Sequence, residues 1–373
     1  VRTFSRTAAV TLAAATIVSL STACSPPEKE SAASSSSAAT ATSAADLGGL
    51  DALIAEAKKE GALNVIALPP DWANYGEIIK AFGDKYSIKV NSAQPDGSSQ
   101  DEINAATQLK GQDTAPDVFD LGMSVATANT ALFAPYKTEK FDEIPADLKE
   151  ATGAYVNDYG GYMSIGYDSS KVPAPTSVAD LLKAEYKGKV ALNGDPTQAG
   201  AAFGGVQLAS IANGGTVDDI KAGVDFFAQL KKAGNFLPVD PTSATIESGQ
   251  TPVVFDWDYL NAAQSAKTPT WKVFVPSGSV LGSYYAQAVS KDAPHPAAAR
   301  LWQEFLYSDE GQNLWLKGGA RPVRADAMQK AGTIDAALFA ALPKIEGTPV
   351  IPTEAQSTKA KEYLTANWAK AIG

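Results

Sequence analysis

The residues able to do chemistry in this chain are carboxylates set beside aromatic rings. In Asp256-Trp257-Asp258-Tyr259 the two kinds alternate. If a strand runs through these positions, Phe255, Trp257 and Tyr259 share one face and both carboxylates the other. Carboxylates pair with ammonium groups, and ring faces hold cations by cation–π attraction, so the pattern suits a cationic ligand. The plainer alternative is a buried aromatic face with solvated acids. Recurrence favours a site, because Asp71-Trp72-Ala73-Asn74-Tyr75 repeats the combination. Polar residues stand at other expected strand ends: Asp96, Ser98 and Ser99 in one loop, Ser124 after Met123, and Thr197-Gln198 after Asp195-Pro196. Ser98-Ser99 and Thr197-Gln198 open helices, where they cap free N–H groups or offer them to an anion. Arg321 would add a charge-assisted contact or serve as a surface charge between lobes.

Other chemistries are excluded by composition. The 373 residues hold one Cys and one His. An internal disulfide needs two cysteines, and a structural zinc site needs several Cys or His ligands. His295, between Pro294 and Pro296, has no second histidine to assist it and reads as a helix-entry residue. Pro296 then takes the first helical turn. No Gly-x-Ser-x-Gly, His-Glu-x-x-His or P-loop string is present. No catalytic residue, metal or cofactor is therefore expected. A secreted hydrolase using Asp256 and Asp258 as acid and base is one competing reading, and an adhesion or scaffold lipoprotein another. The net charge of −10 and the absence of any basic block argue against nucleic acid.

The elements that must position these residues alternate. Leu50, Leu53, Ile54 and Ala57 have helical spacing, closed by Glu60-Gly61. Strands are expected at 63–67, 87–90, 116–121, 189–192, 252–255, 271–275 and 284–289. Helices are expected at 78–82, 101–109, 178–182, 195–212, 217–233 and 297–307. The last buries Ala298, Leu301, Trp302, Phe305 and Leu306 on one face. Such alternation implies α/β sheets flanked by helices. Two lobes are more economical than one very large sheet. Ligands of open α/β sheets sit beyond strand carboxyl ends, where the acidic and aromatic loops fall.

The first residues read as a targeting segment. Arg2 and Arg6 precede an uncharged apolar run at 8–20, too short for an ordinary transmembrane helix, and Ser21-Thr22-Ala23 lead to Cys24. This resembles the lipobox of bacterial lipoproteins, in which the Cys is lipidated after cleavage. Residues 1–23 are then the signal peptide. Residues 24–46, rich in Ser, Ala and Thr, form the lipidated Cys and a flexible tether. The protein would work in water at the outer face of the cytoplasmic membrane.

The segment from 274 to 326, FVPSGSVLGSYYAQAVSKDAPHPAAARLWQEFLYSDEGQNLWLKGGARPVRAD, resembles bacterial extracellular solute-binding proteins, the receptors of ABC importers. It is most similar to the type II group for polyamines, iron(III) and related ligands. Ala293-Pro294-His295-Pro296, Ser308-Asp309-Glu310-Gly311-Gln312 and Tyr186-Lys187-Gly188-Lys189-Val190 carry the resemblance. It implies a two-lobed, periplasmic-binding-protein-like type II fold, with two mixed sheets joined by a hinge. The expected lobes are 47–163 plus 268–318, and 164–267 plus 319–373. The implied function is capture of a small polar solute by a monomer that delivers it to a permease driven by a separate ATPase subunit. A polyamine or other organic amine fits the acidic, aromatic loops best. Ferric iron is the alternative, because ferric receptors of this group use a tyrosine pair as hard phenolate ligands. Tyr284-Tyr285 is such a pair, but neighbours on a strand point to opposite faces, so only one, taken as Tyr284, is expected in the cleft.

Overall fold

The computed structural model describes residues 37–343 and 345–373. The expected signal peptide, Cys24 and the first part of the tether lie outside the described residues. Helix α1 (Leu50–Glu60) stops at Gly61, whose φ of 71° caps it. It leads into β1 (Ala62–Ile66), α2 (Tyr75–Tyr86) and β2 (Lys89–Ala93), with β1 and β2 parallel. Next come α3 (Ser99–Gln108), β3 (Val118–Gly122), the short α4 (Met123–Ala128) and β4 (Phe133–Ala134).

The 13-residue strand β5 (Val156–Asp168) then crosses between lobes. Beyond it lie β6 (Val190–Leu192), α5 (Gly200–Ala212), α6 (Lys221–Ala233), α7 (Ser243–Glu247), β7 (Val253–Trp257), α8 (Asp258–Lys267) and β8 (Trp271–Phe274). Strand β9 (Gly282–Ser290) returns the chain. It is followed by α9 (Pro296–Leu306), α10 (Asp309–Lys317), β10 (Arg321–Pro322), α11 (Ala325–Ala331), α12 (Ala336–Ala341) and α13 (Glu354–Ile372).

The ladders show how one strand serves two lobes. The first half of β5 pairs with β9, with Gly160 opposite Tyr284. Its second half lies between β7 and β8, with Ile165 opposite Phe255 and Phe274. β9 also pairs antiparallel with β3 in lobe 1, and β6 runs parallel to β7 in lobe 2. The register slips between Asn157 and Gly160. A Cβ on Gly160 would lie 2.4 Å from the Ser283 carbonyl oxygen, and one on Gly161 2.5 Å from Asp258 Oδ1. Only glycine lets the crossing strand approach its neighbours this closely.

Three boundaries differ from the sequence reading. The segment from 268 to 281 was expected in lobe 1, but β8 completes the lobe 2 sheet. The stretch 319–343 was expected in lobe 2. Instead β10 pairs with β5 at Gly160 and Arg324 ties to Glu143 and the Tyr307 carbonyl, so it belongs with lobe 1. Residues 37–46 are not tether. They form helical turns whose Ala38, Ala41 and Ala44 are buried, and buried Arg300 donates to the carbonyls of Ala39 and Ala41. Alanine's small side chain allows this packing without an apolar period that a sequence scan would detect.

Packing fixes the elements that present the site. In α9, Leu301, Trp302 and Phe305 are fully buried. Trp302 and Phe305 meet Phe82 of α2 at ring-centroid distances of 5.1 and 5.7 Å. Truncating such an aromatic costs roughly 3–5 kcal/mol, so this contact holds α2 and the loop ahead of it firmly. Helix α13 anchors Trp368 against Phe227 of lobe 2 at 5.6 Å and also packs on α4 of lobe 1.

Candidate functional site

The strand ends of both lobes converge on a cluster of rings and acids. The loop after β1 turns through Ala73 and Asn74, with φ of 44° and 71°, and throws Trp72 inward. Trp72 meets Tyr259 and Tyr285 edge-on at 6.3 and 5.6 Å. Tyr159 meets the same two at 5.9 and 5.6 Å. The indole of Trp72 donates to the Tyr159 hydroxyl at 2.7 Å, which closes a four-ring box. Tyr159 in turn donates to Asp120 Oδ2 at 2.8 Å. Trp315 stacks behind Tyr159 at 4.2 Å, and Tyr75 stands edge-on to both.

The acids around the box are buried. Asp120 lies on β3, Asp158 on β5 and Glu102 on α3. Glu102 accepts from the Asp120 amide at 2.9 Å, and Gln287 donates to Asp158 at 3.0 Å and to the Tyr75 hydroxyl at 2.9 Å. In lobe 2, Asp256 accepts from Asn193 at 2.9 Å and from the Trp257 amide at 2.8 Å. None of these four carboxyls has a lysine, arginine or histidine in an ion pair among the described residues. Burial pushes Asp120 and Asp256 up to about 7 and raises Glu102 and Asp158 well above the carboxylate range.

Asp258 differs from them. The strand stops at Trp257 and Asp258 opens α8, so the expected alternation through Tyr259 does not occur. Its carboxylate accepts from Arg321 at 2.8 Å and from the amides of Tyr162 and Tyr259 at 2.9 and 3.1 Å. Burial raises its pKa, and the Arg321 charge pulls the other way. Arg321 also stacks over Tyr162 at 4.2 Å and donates to the Pro343 carbonyl. This ion pair is a structural tie at the hinge.

A cavity of about 340 Å³ adjoins the box. Trp257 and Tyr285 line its inner end, and the indole of Trp257 donates to the Tyr285 hydroxyl at 3.3 Å. Ser124 of lobe 1, Phe203 of lobe 2 and the first turn of α13 form its walls.

The structure therefore gathers Trp72, Tyr75, Asp256, Trp257, Asp258, Ser124 and Tyr284 around the interlobe space. Asp71 sits at the surface, where Lys267 of lobe 2 meets it at 2.6 Å. Ser99 is buried and accepts from the Gly122 amide at 3.0 Å, so it braces the turn after β3. Ser98 caps α3 through Asp101. Thr197 is held by Asp195 and Gln198 by Thr197, and neither lines the cavity. Asp96 is exposed and likewise outside it. Tyr284 and Tyr285 both reach the cavity but face different surroundings: Tyr284 lies against Gly160 near Tyr162 and Arg321, Tyr285 in the ring box near Asp120 and Asp256. His295 is the N-cap of α9, with Nδ1 2.9 Å from Asp117. Among the described residues no three His, Cys, Asp or Glu converge as metal ligands, and no helix is long and apolar enough to cross a membrane.

Sequence reasoning missed Asp120, Tyr159 and Tyr259 as a group. One signal was available: an acid inside the apolar run Val118-Phe119-Asp120-Leu121 must be buried with its strand, and a buried acid needs a reason.

The sequence profile of the bacterial extracellular solute-binding proteins matches residues 117–342. Among solved structures, the periplasmic binding protein P5PA is 19% identical, with a TM-score of 0.64 over 84% of this chain and 100% of that one. Iron-bound HitA from Pseudomonas aeruginosa is 21% identical, with a TM-score of 0.61 over 84% and 99%. The spermidine/putrescine ABC transporter substrate-binding protein PotD from Streptococcus pneumoniae is 14% identical, with a TM-score of 0.57 over 84% and 99%. No curated protein matches the chain.

Proposed function

The chain belongs to the bacterial extracellular solute-binding proteins, and from that premise we propose that its solute is an organic amine. Its two-lobed α/β architecture is that of the type II periplasmic binding proteins, and its role is that of an ABC-type solute-binding receptor. One observation carries the amine reading. Four buried carboxyls, none with a cationic partner among the described residues, lie around a box of four aromatic rings between the lobes. Buried acids are stabilised by a paired cation, and an ammonium supplies that charge while the rings add cation–π attraction.

Capture would close the lobes over the amine, and a permease with its ATPase subunit would take it onward. The ferric alternative is less well supported, because the two phenols face different surroundings and burial pushes the Tyr284 phenol up to about 12. Hydrolysis by Asp256 and Asp258 is disfavoured because Asp258 is engaged by Arg321.

We also infer that Cys24 anchors the receptor as a monomer at the outer face of the cytoplasmic membrane. Membrane fractionation with labelled fatty acid tests the anchor: Cys24→Ala should abolish the label, and an unlabelled wild type would refute it. Native mass spectrometry of protein purified from cells tests the solute. An added mass matching a basic organic molecule is expected, and an added mass of iron or an acid would overturn the reading.

A further inference from the structure

Two buried polar atoms beside the ring box lack a hydrogen bond of good geometry among the described residues: Asp120 Oδ1, whose carboxyl the Tyr75 hydroxyl approaches, and the Tyr259 hydroxyl. Leaving such groups unpaired costs about 1–3 kcal/mol each, so a pair of them at one place is informative. Asp120 is 6% exposed and Tyr259 1%. They come from opposite lobes, Asp120 from the middle of β3 and Tyr259 from the first turn of α8. Their setting links them. The Tyr259 ring stands edge-on to Tyr159, whose hydroxyl already holds the other Asp120 oxygen. The Asp120 charge is also among the groups that raise the Tyr259 phenol.

We propose that Asp120 Oδ1 and the Tyr259 hydroxyl are the ammonium subsite of this cleft, one contributed by each lobe, and that they select an ammonium bearing N–H groups over a quaternary one. The inference rests on the amine reading above and adds the location and type of the charged group. Both atoms can accept a hydrogen bond. A primary or secondary ammonium seated between the lobes would donate to both while its charge faces the carboxylate, beside the rings of Trp72, Tyr159 and Tyr285. A trimethylated ammonium has no N–H, so it would leave both oxygens unpaired. Because the two oxygens belong to different lobes, the cation itself bridges the cleft, and seating it favours closure.

The subsite also sets a pH dependence. Asp120 is faced by Glu102 from α3, Tyr75 from α2, Asp158 and Tyr159 from β5, Tyr259 from α8, Tyr285 from β9 and Tyr307 from the end of α9. No fixed cation is among them, so an empty site favours the protonated carboxyl and amine binding favours the ionised one.

Calorimetric titration of the wild type, Asp120→Asn, Tyr259→Phe and the exposed control Asp96→Asn with putrescine, spermidine and glycine betaine tests the proposal. Wild type and control should bind a primary amine more tightly than glycine betaine, with affinity rising from about pH 6 to about pH 8. Each of Asp120→Asn and Tyr259→Phe should weaken the primary amine about tenfold or more, and Asp120→Asn should also lose the pH rise. Tyr259→Phe removes one unpartnered oxygen and so preserves the fold. If the wild type binds a primary amine and both variants keep its affinity within about twofold, the subsite is wrong and the amine reading stands. If the wild type prefers glycine betaine, the selectivity is wrong. If it binds no amine while an iron or acid adduct is recovered from cells, both inferences fall.

Discussion

Gly122, at the end of β3, and Gly200, at the start of α5, meet across the cleft: a Cβ on Gly122 would stand 3.2 Å from Gly200 Cα. A Cβ on Gly200 would stand 3.3 Å from Gly122 Cα and 3.4 Å from the Tyr285 hydroxyl. Backbone meets backbone here, so neither side can yield by a rotamer change. If the lobes move, this contact is expected to set how far they can close.

Gly200→Val should therefore hold the lobes apart without unfolding either one. Small-angle scattering of the variant with saturating amine should show less compaction than the wild type, and affinity should fall by about tenfold or more. Wild-type compaction and affinity in the variant would show that the two glycines do not limit closure.

Arg321→Met should destabilise the protein strongly. It strips the guanidinium from Asp258, whose side chain is fully buried. Removing one partner of such a pair costs about 3–5 kcal/mol. Urea denaturation should report that loss, and adding Asp258→Asn should recover part of it. A loss under about 1 kcal/mol would mean the pair contributes no more than an exposed bridge.

Stability of the ligand-free protein should fall as pH rises above the carboxylate range. His295 is raised by its bond to Asp117, and burial brings Glu60, Asp256 and Glu304 up to about 7. Each binds its proton more tightly folded than unfolded. That advantage is complete below the unfolded values and is lost as pH passes through the folded ones. The melting temperature should drop between about pH 4.5 and about pH 8. Glu60, which accepts from the amides of Ala297 and Ala298, gives the cleanest test, since Glu60→Gln should flatten part of the drop. A melting temperature that rises over this window would contradict the assignment.

Arg300→Met should loosen residues 37–47. Arg300 is 1% exposed and holds the Ala39 and Ala41 carbonyls at 2.8 Å. Limited proteolysis should then cut this segment while the rest of the chain stays intact. Equal resistance in variant and wild type would show that alanine packing alone secures it.

Much of the fold was legible because period and punctuation agree with it. The face of α9 carrying Leu301, Trp302 and Phe305 is buried as the helical spacing requires, and Pro296 takes its first turn. The site was legible only in outline. Trp72 and Trp257 stood out by residue type beside acids. Asp258 looked like Asp256, but the strand ends between them, and Arg321, remote in sequence, takes up only one of the two. Asp120 was hidden in an apolar strand, since periodicity reports which face a residue occupies and not what charge it meets there. The lobe assignments of 268–281 and 319–343 depend on which half of β5 each pairs with, and no local pattern encodes that pairing.

The central claim is that the cleft takes a cation. The most direct measurement is calorimetric titration of the wild type with spermidine, putrescine, ferric citrate and an aminophosphonate under one set of conditions. Saturable binding of an amine, with no heat from ferric citrate, is the expected result. Binding of ferric citrate alone, abolished by Tyr284→Phe or Tyr285→Phe, would contradict it.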